Sequence, residues 1–97
     1  IPVQAWTLLP TRPHPLRGAG LLRLATPTAP VKPIEVLIYD SGGRRIRSFT
    51  QRATHAGLIE IGWDGRDALG HEPASGLYLY RVQVDGRALE GKLVLLR

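Results

Sequence analysis

A chain of 97 residues, 43% hydrophobic and 22% charged, suits one domain with one core, and it holds no run near the about 18 to 20 apolar residues that make a direct membrane span. Cys and Met are both absent, which excludes disulfides, thiolate nucleophiles and cysteine metal sites, and marks Ile1 as the expected continuation of an upstream parent domain. The net charge of +5 is scattered, and its one cluster, Arg44, Arg45 and Arg47, lacks the interleaved aromatics that hold single strands, so a solvated basic face is expected and no nucleic acid.

Residues 1–19 form a Pro-rich lead-in, with Pro10, Pro13 and Pro15 alternating and a strand expected near Gln4 to Leu9. "GLLRLA" at 20–25 is the first clear strand. The connection "TPTAPVKP" is a loop, because Pro27, Pro30 and Pro33 lack the N–H a central ladder needs. In "IEVLIYD", Ile34, Val36 and Ile38 share one face, with Glu35, Leu37 and Tyr39 on the other. Asp40, Ser41, Gly42 and Gly43 then make a tight hairpin into a strand from about Arg44 to Thr50.

After the polar "QRATHAG", the run "LIEIGW" sets Ile59, Ile61 and Trp63 on one face, so Trp63 is expected inward. "SGLYLYRVQV" aligns Tyr78, Tyr80, Val82 and Val84. Asp85-Gly86, a two-residue turn between alternating runs, returns the chain into "RALEGKLVLL", where Leu89, Leu93 and Leu95 alternate with Glu90, Lys92 and Val94. Short strands separated by turns every 8 to 12 residues describe an all-β fold, an immunoglobulin-like antiparallel β-sandwich of about seven strands forming a single domain over 1–97.

Three stretches add detail: "IYDSGGR" at 38–44, "WDGRDALG" at 63–70 and "ASGLYLY" at 74–80, followed by a closing strand in which Lys92 and Val94 stand two apart before Arg97. Together, in this order and spacing, they resemble the immunoglobulin-like FlgD-type domain, which also serves as the C-terminal sorting domain of type IX-secreted proteins. The segment "PTRPHPLRG" keeps the prolines of that family's usual lead-in without its Asn and Phe. The resemblance implies a non-catalytic module of a secreted, cell-surface or periplasmic bacterial protein. It would act in sorting, anchoring or packing, or as a brace in a larger envelope assembly. The implied partners are the upstream parent domain, an envelope complex or secretion machinery, with no cofactor. It makes Tyr39, Asp40, Gly43, Arg44, Trp63, Asp64, Gly65, Asp67, Gly70, Ser75, Gly76, Tyr78 and Tyr80 structural, and Lys92, Val94 and Arg97 recognition residues. Exposed Leu37, Leu77 and Leu79 would supply the contact surface of a brace.

The chemistry-bearing residues are weighed on their own terms. Asp64, Asp67 and Glu72 offer oxygens to calcium, but the spacing departs from the D-x-[DN]-x-[DN]-G pattern and falls short of six to eight ligands. A turn-holding role is preferred, with Asp67 accepting main-chain N–H bonds and Gly70 left-handed. His14, His55 and His71 sit in separate loops without zinc spacing, and Ser41, Ser48 and Ser75 lack a nucleophile elbow. Tyr78 and Tyr80 either pack as a core-and-corner pair or stack on a sugar in a carbohydrate-binding module, and their shared face with Val82 and Val84 favours the core.

Overall fold

The computed structural model describes residues 5–97, and these fold into seven strands: β1 (Thr7–Arg12), β2 (Gly20–Thr26), β3 (Ile34–Asp40), β4 (Arg45–Gln51), β5 (Gly57–Trp63), β6 (Gly76–Val84) and β7 (Arg87–Leu95). All pairings between strands are antiparallel. One sheet runs β1-β2-β5 and the other β4-β3-β6-β7, so the two layers form an immunoglobulin-like sandwich.

The period-two pattern decides the core. Leu22 and Leu24 of β2, Ile59, Ile61 and Trp63 of β5, Val36 and Ile38 of β3, and Tyr80, Val82 and Val84 of β6 meet between the sheets, all nearly inaccessible to water. Burying each large aliphatic side chain contributes about 1.5 to 3 kcal/mol. β7 adds Leu93 and Leu95, and between its inward residues Gly91 leaves the space that the Tyr80 ring fills: a Cβ at Gly91 would lie 2.6 Å from Tyr80 Cζ.

Two expectations need correction. The strand expected near Gln4 to Leu9 is β1 at Thr7–Arg12; Gln4 lies outside the described residues. The strand continues through Pro10 because β1 is a sheet edge, and its pairing with β2 shifts register between Leu9 and Arg12, where a missing N–H does least harm. Leu37, expected on an exposed contact face, is only 7% accessible. It sits mid-strand in β3 with β4 and β6 on either side, opposite Ser48 and Arg81, so neighbouring strands shelter it although it points away from the core.

The Asp85-Gly86 turn has φ of +48° and +78°, the paired left-handed conformation that matches strand twist. The Asp85 carboxylate also reaches across the end of the sandwich. It accepts from the Val31 and Lys32 N–H groups at 3.0 and 3.1 Å, fastening the Pro-rich loop to the hairpin.

Candidate functional site

At the opposite end of the sandwich, the β5–β6 loop, the β3–β4 hairpin, the segment around Leu16 and the end of β7 come together. The loop begins where Trp63, 3% accessible, closes the core and donates its indole N–H to the Arg66 carbonyl at 3.1 Å. Asp64 Oδ1 accepts from the Arg66 N–H at 2.9 Å, and Asp67 Oδ1 accepts from the Leu69 and His71 N–H groups, each at 2.9 Å. These are Asx turns, in which a side chain supplies the acceptor that a loop backbone lacks. Gly70 takes φ +82° and donates back to the Asp67 carbonyl at 3.0 Å.

Arg47 on edge strand β4, expected from the sequence to belong to a solvated basic face, instead holds this loop from the side. Its Nη1 donates to Asp64 Oδ1 and to the Arg66 carbonyl, both at 2.9 Å, while its guanidinium lies 5.8 Å from the centre of the Phe49 ring. The Ala68 N–H adds a bond to the Ile46 carbonyl at 2.9 Å. The spacing of two between Arg47 and the half-buried Phe49 is the signal that would have found it, since both share the inner face of β4.

The last strand is fastened on its open side as well. Leu16, fully buried, forms a parallel bridge with Leu95: the Leu16 N–H donates to the Val94 carbonyl at 2.9 Å and the Leu96 N–H to the Leu16 carbonyl at 2.8 Å. Beyond it, the Arg97 N–H bonds Ser75 Oγ at 2.9 Å and Arg97 Nε bonds the Pro73 carbonyl at 3.0 Å. Its Nη2 bonds the Gly65 carbonyl. Gly65 itself is buried against Gly18, with no room for a side chain.

In the hairpin, Asp40 accepts from the Gly42 and Arg44 N–H groups at 3.0 and 2.9 Å and from Arg44 Nε at 3.2 Å, and Gly43 has φ +88°. The structure thus brings Asp40, Gly43, Arg44, Trp63, Asp64, Gly65, Asp67, Gly70, Ser75 and Arg97 to one end. Tyr78, at the start of β6, ties that end down through its hydroxyl, which donates to the Ala74 carbonyl at 2.6 Å. Tyr80 points into the core, where burial raises its hydroxyl pKa. Neither ring lies open for a sugar. Tyr39, Leu79 and Lys92 line a shallow groove of about 450 Å³ on the outer face of the four-stranded sheet, with Gly76 and Val94 nearer its end.

The electrostatics follow the hydrogen bonds. The Arg66 N–H, helped by the Arg47 charge, holds the Asp64 carboxyl below its usual value against a smaller desolvation effect. The His71 and Leu69 N–H groups do the same for Asp67, and the Arg44 and Gly42 N–H groups for Asp40. Glu72 faces Arg66 at 3.5 Å. The carboxylates considered for calcium are therefore directed at donors of their own chain, and among the described residues no three His, Cys, Asp or Glu side chains gather as a metal site would require.

This architecture defines the class: an immunoglobulin-like sandwich whose motif residues brace one loop-bearing end. The FlgD Ig-like domain model matches residues 16–88, and the chain belongs to that family. No curated protein sequence matches it. Among solved structures it is similar to part of dimeric latent PorU from Porphyromonas gingivalis, with a TM-score of 0.71 and 24% identity over 97% of this chain and 10% of that one. It is likewise similar to part of PorZ of the same organism, described as an essential surface component of the type-IX secretion system, with a TM-score of 0.62 and 25% identity over 93% and 11% of the two chains. FlgD from P. aeruginosa aligns with a TM-score of 0.57 and 21% identity over 81% of this chain and 57% of that one. The chain thus spans about a tenth of the PorU and PorZ chains.

Proposed function

We propose that the chain is a non-catalytic module of a secreted or cell-surface bacterial protein, recognised through its surface in sorting, anchoring or packing against its parent. The observation that carries this reading is the direction of the motif carboxylates. Asp40, Asp64 and Asp67 accept N–H and guanidinium donors of the chain itself, while Lys92 and Val94 stand exposed on the outer face of β7. The likeness to PorZ supports an extracytoplasmic setting. Residues 1–97 placed after a reporter enzyme in a type IX-competent bacterium should carry it to the surface. A Lys92→Ala/Val94→Ser variant should fold, keep reporter activity and leave the reporter inside; surface display at the original level would end the sorting form of the proposal.

A brace within an envelope assembly is the second reading, favoured by the outer-face pair Leu77 and Val94, 45% and 36% accessible and directly opposite each other. A stable stoichiometric complex on purification would select the brace. A catalytic domain upstream in the full gene would select the tag.

A further inference from the structure

β7 is the outermost strand of its sheet: Leu16 bonds its far end, and β1 of the facing sheet packs beside it, with the centre of the Trp6 ring 4.6 Å from the Arg87 guanidinium at its start. The bonds of Leu16 to the Val94 carbonyl and the Leu96 N–H show which residues turn their main-chain groups to the open side: the even-numbered ones. Because β7 pairs with β6 without a register shift, Ala88, Glu90 and Lys92 share that phase. All three are exposed, and among the described residues nothing bonds their edge-facing N–H and C=O groups. An open edge of this kind is a template for another strand.

We infer that the edge pairs antiparallel with the same edge of a second copy, about a two-fold axis at Gly91, joining two four-stranded sheets into one of eight strands. Side-chain order points to this occupant. With Gly91 opposite Gly91, Glu90 faces Lys92 of the second copy and Lys92 faces its Glu90, on the same outer face. A slip of two residues in either direction would set Glu90 against Glu90 or Lys92 against Lys92, so charge selects one register. A lone Lys on an edge guards against pairing; here the acidic neighbour two residues earlier turns the guard into a register key. Glu90 Oε1 is held by Arg81 Nη2 at 2.8 Å, which leaves Oε2 for the second copy.

The same register places Leu89 opposite Leu93 on the inner face and Ala88 opposite Val94 on the outer. The window from Ala88 to Val94 is symmetric about Gly91, bounded by Leu16 at one end and the Asp85-Gly86 turn at the other. Within it the edge-facing N–H and C=O groups of Glu90 and Lys92 meet complementary ones across the axis, the Val94 carbonyl keeps its bond from the Leu16 N–H, and the isologous contact uses up the β7 edge of both copies.

The test uses the 97-residue chain by itself, so its outcome is separate from the export reading. Sedimentation equilibrium up to about 1 mM should show a reversible monomer–dimer equilibrium. Lys92→Glu and Glu90→Lys should each weaken it about tenfold, since symmetry counts every reversal twice, and the double exchange should return it to within about threefold of the original. As the chain has no Cys, mixed Glu90→Cys and Lys92→Cys chains should oxidise to the 90–92 cross-link in preference to either self-pair, the Cα spacing of about 5.5 Å being within disulfide reach. A monomer at every concentration, a double exchange that fails to restore association, or equal yields of the three cross-links would overturn the inference.

Discussion

Gly65 is where two separate demands meet. Its φ of +76° is left-handed, and a Cβ there would stand 2.6 Å from the Gly18 carbonyl carbon, which is backbone and has no rotamer to yield. Gly43 has nearly the same φ, +88°, with nothing within 4 Å. Gly43→Ala should therefore lose about 1 kcal/mol, the cost of the left-handed conformation, whereas Gly65→Ala should lose about 3 kcal/mol or more. Urea midpoints of the two variants measure the difference, and equal losses would mean that the Gly18 contact yields freely. Gly91 is a third kind of glycine, placed where Tyr80 Cζ, Oη and Cε1 would all lie within 2.9 Å of a Cβ. Gly91→Ala should cost about 1 to 3 kcal/mol through overpacking, read from the same denaturation curves. The sequence marked Gly65 through its motif, but close approach to Gly18 is a contact across 47 residues that no local pattern encodes. Gly91 read as an ordinary position in an alternating strand.

Among the elements, the hairpins were legible and the ties between them were not. Alternation and turn residues carry the β3–β4 and β6–β7 pairings, because both signals are local. Leu37 shows the limit: alternation assigns its face, while its shelter depends on β3 lying between β4 and β6, a matter of strand order. Arg47 shows another, since a charged cluster beside a turn reads as solvated until the β5–β6 loop folds over it. If Arg47 holds that loop, Arg47→Ala should leave the strand ladders intact and release the loop. Amide exchange at Arg66, Leu69 and His71 should quicken about tenfold or more while Val36, Ile38 and Val82 keep their protection. Uniform acceleration would indicate a general loss of stability instead. Asp85→Ala makes the matching case at the other end, where the Val31 and Lys32 amides alone should lose protection.

Across the whole molecule, both ends of the sandwich are closed by aspartates. Asp40, Asp64 and Asp67 hold turns at one end and Asp85 at the other, each accepting main-chain N–H bonds that favour the ionised form and lower its pKa from 3.8. Protons therefore bind the unfolded chain more readily than the folded one at low pH. The stability these four contribute is complete above about pH 4 and is lost as pH falls through their folded values. Protonation also removes negative charge from a chain that already carries 13 Lys and Arg against 8 Asp and Glu, so self-repulsion grows over the same interval. Calorimetry from pH 7 down to pH 2 should show a Tm nearly level to about pH 4.5 and falling below it. Asp→Asn at 67 or 85 should lower Tm at neutral pH and make the acid decline shallower, because an amide still accepts a hydrogen bond but no longer titrates. Added salt should soften the part of the decline due to repulsion and leave the part due to the turn hydrogen bonds, which lie within the chain and are little screened. A Tm at pH 2.5 equal to that at pH 6 would mean that neither end of the sandwich depends on its carboxylates.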